Sequence, residues 1–252
     1  MIDLKDQVVI ITGGSRGIGA AAARLFAQAG ADVVITFTKN EKAAQAVVKS
    51  VKELGRKALA LKADVASEKD AQKVVRATLK TFGKIDVLVN NAGIWTYGAI
   101  GSMAAHVWKQ TMQVNLDGMF YMTNAVVPHM KERKSGKIIN ISSTAGQRGE
   151  AEHSHYAASK GGMISFTKAI ATELGPFNIN VNSVAPGWVD TELNDEVFSD
   201  KKYKEQERRK IPIQRIPTPE DIAGPILFLA SDLARHLTGE IMNVNGGSVL
   251  VG

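Results

Sequence analysis

The 252-residue sequence contains no cysteine. Disulfides, thiolate metal sites and cysteine nucleophiles are therefore excluded, and a reducing, cytoplasmic location is the expectation. No apolar run reaches the roughly 20 residues that cross a bilayer, so no membrane association is expected. The opening Met1-Ile2-Asp3-Leu4-Lys5-Asp6 carries charge at once and lacks the basic region and apolar stretch of a secretory signal. Pro/Ser-rich linkers, charge blocks and internal repeats are also missing, which makes one domain over residues 1–252 the simplest organisation. The net charge is +6, but the basic residues are dispersed except in Lys201-Lys202-Tyr203-Lys204 and Arg208-Arg209-Lys210. Without aromatic-basic interleaving this does not suit nucleic acid, whereas phosphorylated or acidic small molecules account for it equally well.

What the chain does contain is 44% hydrophobic and 22% charged residues, the balance of a globular protein. Short β-branched runs alternate with longer stretches of helical periodicity. Strands are expected at Val8 to Thr12, Val33 to Phe37, Ala58 to Lys62, Val87 to Asn90, Lys137 to Ile141, Asn180 to Val184 and Glu240 to Val244, all read as buried on both faces. Helices are expected near Gly17 to Ala29, Glu41 to Leu54, Glu68 to Phe82, Met103 to Lys134, His155 to Leu174 and Glu220 to Ala230. Right-handed crossovers then give an α/β fold, a doubly wound parallel sheet of seven strands with helices on both faces. The polar stretch from Asp190 to Pro217 breaks the rhythm and reads as a substrate lid, a short helical excursion over a pocket.

Val8 to Thr12 leads into Gly13-Gly14-Ser15-Arg16-Gly17-Ile18-Gly19 and then an alanine-rich helix. Glycines allow a positive-φ turn and close approach of a phosphate to the main chain, and the helix amides and dipole then face a pyrophosphate. After the second strand, Thr36-Phe37-Thr38-Lys39-Asn40 offers no carboxylate to grip a ribose until Glu41. Lys39 and Arg16 are cations that can pair with a 2′-phosphate, so NADP(H) is the preferred cofactor and NAD(H) remains compatible. The alternative is that both cations are merely solvated.

Tyr156 and Lys160 stand four apart in Tyr156-Ala157-Ala158-Ser159-Lys160 and share one helix face. An ammonium at roughly 4 Å is worth about 4 kcal/mol at an effective dielectric of about 20. That would lower the phenol from its usual value near 10 and make it a proton donor near neutral pH. Asn90-Asn91-Ala92-Gly93 follows the fourth strand, at the carboxyl edge where open sheets bind ligands.

These motifs, with Asp64, Asn115, Ser143, Pro186-Gly187 and Asn243-Val244-Asn245-Gly246-Gly247, closely resemble the short-chain dehydrogenase/reductase family along essentially the whole chain. The nearest likeness is to its 3-oxoacyl-[acyl-carrier-protein] reductases and related carbonyl reductases. The resemblance implies a Rossmann fold and four catalytic residues: Tyr156 as acid or base at the carbonyl oxygen, Ser143 polarising that oxygen, Lys160 on the nicotinamide ribose, and Asn115 holding a relay water through its backbone carbonyl. Ser142 is the rival serine; the distance from Ser143 to Tyr156 fits the family pattern. Implied cofactor contacts are Gly13, Ser15, Arg16, Gly17, Ile18, Gly19, Thr38, Lys39, Asp64, Val65, Asn91, Ala92, Gly93, Tyr156, Lys160, Pro186, Gly187, Val189 and Thr191. Asp64 reads equally as part of a helix cap ahead of Ser67.

The implied reaction is NADPH-dependent reduction of a ketone or aldehyde to an alcohol. The substrate is an acyl chain on an acyl carrier protein, a small carbonyl compound, or a sugar or polyol. Lys134 and the Lys201 to Lys210 cluster would serve an acidic carrier, but Phe177 stands where a cation is expected. Family members usually assemble as dimers or tetramers through the helices equivalent to Met103 to Met130 and Met163 to Leu174. A catalytically silent sensing protein is the reading from another class, and the presence of both Tyr156 and Lys160 speaks against it. His153 and His155 lack the further ligands a metal would need, so no metal is expected. Those two histidines, Glu150 and Glu152 read as pocket wall or exposed loop, and Trp95, Tyr97 and Trp188 as pocket lining or loop packing.

Overall fold

Val9 and Ile11 face one side of the first strand and Ile10 the other, and a separate apolar core grows on each side. The computed structural model describes residues 2–250. Its strands are β1 (Val8–Ile11), β2 (Asp32–Phe37), β3 (Ala58–Lys62), β4 (Val87–Asn90), β5 (Gly136–Ile141), β6 (Ile179–Pro186) and β7 (Ile241–Val244). All pair in parallel, in the order β3-β2-β1-β4-β5-β6-β7. One core packs the sheet against α1 (Gly17–Gln28), α2 (Glu41–Glu53) and α10 (Pro219–Ala230), through residues such as Phe26, Val47 and Ile226. The other packs it against α3 (Glu68–Phe82), α5 (Gly118–Arg133) and α7 (Ser154–Leu174), through Val74, Met122 and Leu174. This is the doubly wound sheet the sequence implies, and its direction reverses between β1 and β4.

The expectation that every strand is buried on both faces fails at the margins. β1 and β4 are buried throughout, whereas β3 and β7 are largely half-buried, because each is an edge with one lateral neighbour and incomplete helical cover. A second difference lies in the stretch from Met103 to Lys134. It is helical, but α4 (Ala105–Met112) and α5 are joined by a π-helical turn over Gln113–Asp117. Within that turn Asn115 is fully buried. Its amide accepts from Ile94 N at 2.8 Å and donates to Ile94 O at 2.9 Å and to Ser159 Oγ at 3.1 Å. Three such bonds offset the poorer geometry of a wide turn, and hydrophobic periodicity carries no trace of it.

The other helix starts follow local chemistry. Asn40 caps α2 by accepting from Ala43 N, and Ser67 caps α3 by accepting from Asp70 N. At α10 the Asp221 carboxylate reaches back to Thr218 N at 2.8 Å, with Pro219 in the first turn. Between Asp190 and Pro217 lie α8 (Asp195–Phe198) and α9 (Lys201–Lys210), the latter capped by Asp200.

The turn between β1 and α1 depends on Gly19. A Cβ there would stand 2.5 Å from Gly13 O and 2.6 Å from Asn91 Nδ2. Gly19→Ala should therefore destabilise the protein by about 1–3 kcal/mol, lowering Tm by several degrees in a thermal melt. An unchanged Tm would show that the turn can move aside.

Candidate active site

Six strand ends open into one cavity of about 580 Å³. It runs along the carboxyl edge from Asp64 and Val65 after β3, past Thr38 and Lys39 after β2 and the glycine turn after β1, to Asn91, Ala92 and Gly93 after β4, Ser143 after β5, Pro186 at the end of β6 and Gly187 just past it. This is the crevice of the topological switch point.

At the nucleotide end, Gly13 and Gly17 hold φ of +64° and +52°, and α1 begins with no capping side chain and no acidic residue in its first turn. Its leading amides are left for an anion. Ser15, Arg16, Gly17 and Ile18 all line the cavity. Gly19 does not; its role is the close packing described above. Arg16 and Lys39 are exposed at the rim and form no ion pair among the described residues. The Asn91 amide donates to Thr12 O at 2.9 Å and Gly13 O at 3.2 Å, so it braces the glycine turn while lining the cavity. Asp64 takes Ala66 N at 3.0 Å with one oxygen; the cap of α3 is Ser67 itself. Uncapped amides and positive-φ glycines fit the pyrophosphate of a dinucleotide.

At the far end Ser143 and Tyr156 both line the cavity, and Ser143 Oγ accepts from Ala145 N at 3.1 Å. The rival serine, Ser142, is engaged with the sheet: its hydroxyl donates to Val184 O at 3.1 Å and accepts from Ser183 Oγ at 2.8 Å. Lys160 is buried, donates to Ile141 O at 2.7 Å, and places Nζ 5.8 Å from the centre of the Tyr156 ring. Burial draws Lys160 down to about 8. Burial pushes the Tyr156 phenol up to about 12; the Ser143 hydroxyl opposes this and the charge of Glu150 adds to it. The spacing argument expects an acidified phenol, and the direction here is the reverse. The ammonium is held by the Ile141 carbonyl, and desolvation of the phenolate outweighs every favourable contact. Asn115 lies outside the cavity lining and acts through the Ile94 loop and Ser159, whose Oγ donates to Tyr156 O at 2.7 Å.

Beyond Tyr156 the cavity is walled by residues that spacing alone did not bring together. Trp95 stacks on His153 with ring centres 4.2 Å apart and meets Trp188 edge-on at 5.7 Å. Glu150, Arg148, Trp95 and Trp188 line the wall, and α9 contributes Glu207 and Lys210. Fully buried His155 bonds Thr96 Oγ1 through Nε2 at 3.0 Å. That contact and the Gly98 N to Glu152 O bond at 2.8 Å tie the loop after β4 to the start of α7. Lys210 belongs to the basic cluster seen in sequence, but Glu207 was not singled out; the one available signal for it is its helical spacing from Tyr203. The geometry can hold a nucleotide, offer a proton at one point and bind a polar molecule beside it.

A family model described as "Enoyl-(Acyl carrier protein) reductase" matches residues 13–248. The L-rhamnose 1-dehydrogenase (NAD(P)(+)) of Sphingomonas sp. (strain SKA58) is 40% identical over 245 residues, 97% of this chain and 96% of that protein. The 3-oxoacyl-[acyl-carrier-protein] reductase of Synechocystis sp. (strain ATCC 27184 / PCC 6803 / Kazusa) is 40% identical over 251 residues, 99% of this chain and all of that protein. Among solved structures, a chain described as a short-chain alcohol dehydrogenase from Sinorhizobium meliloti 1021 superposes with a TM-score of 0.94 at 33% identity, covering 98% of this chain and 97% of that one. With the doubly wound sheet and the Ser143, Tyr156 and Lys160 constellation, these likenesses place the protein in the short-chain dehydrogenase/reductase family, as an NAD(P)-dependent oxidoreductase.

Proposed function

We propose that the protein reversibly reduces a ketone or aldehyde to an alcohol and prefers NADPH to NADH. The observation that carries this reading is one cavity joining the uncapped start of α1 and the rim cations Arg16 and Lys39 to Ser143 and Tyr156, which line its far end together. NADPH supplies, when bound, the hydride that adds to the carbonyl carbon. Ser143 donates a hydrogen bond to the carbonyl oxygen and fixes its position. Tyr156, kept protonated by its raised pKa, gives its proton to the same oxygen. Lys160 contributes positive charge beside the phenol and stabilises the phenolate left behind. Asn115 holds the Ile94 loop and, through Ser159, the first turns of α7 in register with this centre. The segment from Asp190 to Pro217 acts as the lid, with Thr191 to Asn194, Glu207, Lys210 and Ile211 contributing cavity wall.

A free small molecule is the better-supported substrate. Four of the six cations of α9 that would attract an acidic carrier protein are already paired, while Lys201 and Lys202 are exposed and form no ion pair among the described residues. Lys204 meets Asp190 at 2.8 Å, Arg208 and Arg209 meet Glu205 at 2.7 and 2.9 Å, and Lys210 meets Glu207 at 2.5 Å. At Phe177 the ring lies under Lys131 Nζ at 4.8 Å, so one cation does stand near the position where an acyl-carrier reductase would need it. Assembly as a homo-oligomer is supported by Phe120 and Phe166, which meet edge-on at 6.3 Å on α5 and α7 and are each partly exposed.

Tyr156→Phe should lower kcat by about 10²–10⁴-fold and leave NADPH affinity intact in a fluorescence titration. Retained turnover would remove the phenol from the reaction. Lys39→Glu should shift the NADPH to NADH ratio of kcat/KM by about ten-fold against NADPH; an unaltered ratio would transfer that role to Arg16. Lys160 carries its charge below pH of about 8 and loses it above, so kcat/KM for carbonyl reduction should fall as pH rises through that value. A profile flat to the usual lysine range near 10.4 would count against a role for its charge.

A further inference from the structure

Two carboxylates wall the substrate end of the cavity, and proton and hydride transfer use neither. Glu150 follows the short helix α6 (Ala145–Arg148), and Glu207 sits on the second turn of α9. Their side chains are 19% and 10% exposed, and each lies beside an indole. Trp188 Nε1 donates to Glu207 Oε2 at 3.0 Å, and Trp95 stands near enough to Glu150 to oppose the upward push of burial on its carboxyl. Glu207 also holds Lys210 Nζ at 2.5 Å, while Glu150 lies 3.9 Å from His153 Nδ1 and close enough to Arg148 and Glu207 to feel both charges.

A carboxylate accepts about four hydrogen bonds, so these partners leave acceptor capacity at the wall beside Tyr156. An acyl chain would strip water from both groups and return nothing. An anionic substrate would meet two like charges. A cationic one would meet Arg148 and Lys210 on the same wall. A neutral molecule with several hydroxyls satisfies both carboxylates as a donor and both cations as an acceptor, against apolar ring edges of Trp95 and Trp188. The geometry points to a subsite for a polyhydroxylated substrate, a sugar or polyol, whose hydroxyls are held by Glu150 and Glu207 while its reacting oxygen lies at Ser143 and Tyr156. This rests on the reductase reading above.

The test is steady-state kinetics of the full chain with NADP+ on a panel of aldoses and hexitols and on cyclohexanol, and with NADPH on cyclohexanone and acetoacetyl-N-acetylcysteamine. At least one sugar or polyol should exceed cyclohexanol in kcat/KM by about 100-fold or more, since each hydroxyl bonded to a charged group is worth about 10–100-fold. Glu150→Gln and Glu207→Gln should each shrink that ratio about ten-fold, mainly through KM, with NADPH binding by fluorescence as the check on folding. If one variant fails to bind NADPH, the other decides. A ratio near one, faster turnover of the thioester than of every sugar, or glutamine variants that keep the preference would overturn the subsite. Tyr156-dependent turnover of cyclohexanone in those cases would leave the reductase reading standing. Absence of Tyr156-dependent turnover on every compound would overturn both.

Discussion

The Lys160 ammonium, fixed at 2.7 Å to the carbonyl that ends β5, ties the catalytic helix to the sheet. That contact sets where α7 sits, and with it where the Tyr156 phenol points. It tolerates little change around it. A Cβ on Gly146 would stand 2.6 Å from Lys160 C and 2.7 Å from Gly161 N, so α6 and α7 approach as closely as backbones allow. Beneath the same junction the Asn90 amide donates to Asn140 Oδ1 at 2.9 Å and Thr123 Oγ1 at 3.0 Å, and the Asn140 amide to Thr167 Oγ1 at 2.9 Å. These buried polar groups link β4, β5, α5 and α7, with Asn90 Oδ1 alone among their side-chain polar atoms left without a partner.

The nucleotide end is organised by steric exclusion where the catalytic end is organised by charge. Gly14 packs so closely under Ile35 that a Cβ would fall 2.5 Å from it, and the Asn91 side chain holds the turn from the other strand. The turn is thus clamped between β2 and β4, and the leading amides of α1 are presented without loss of order on binding. The rim cations Arg16 and Lys39 sit outside this clamp, exposed to solvent.

The cavity wall beyond Tyr156 is formed by segments that the sheet does not build. The loop after β4, the turn before α7, the segment after β6 and helix α9 meet through Trp95, His153, Trp188 and Glu207, four regions far apart in the chain. Their acids and bases are largely matched to one another, which gives a polar wall without strong net charge. The relatives differ in the substrates they are named for, and a wall assembled from loops is where such differences arise.

Much of this was legible in the chain itself. Apolar periodicity located all seven strands to within about two residues, because burial against both helical layers leaves a continuous hydrophobic run at the centre of a parallel sheet. The glycine turn and the Tyr156 to Lys160 spacing are local patterns, visible because helix geometry converts sequence distance into spatial distance. What only the tertiary structure decided are quantities with no local cause. These are the half-burial of β3 and β7 as edges, the π-helical turn that buries Asn115 against Ile94 and Ser159, the commitment of Ser142 to Val184 and Ser183, and the balance that raises the Tyr156 pKa where adjacency to a lysine suggested the opposite. Each depends on which groups from distant segments remove water from a side chain or bond to it, and desolvation is a property of the folded environment that no spacing along the chain encodes.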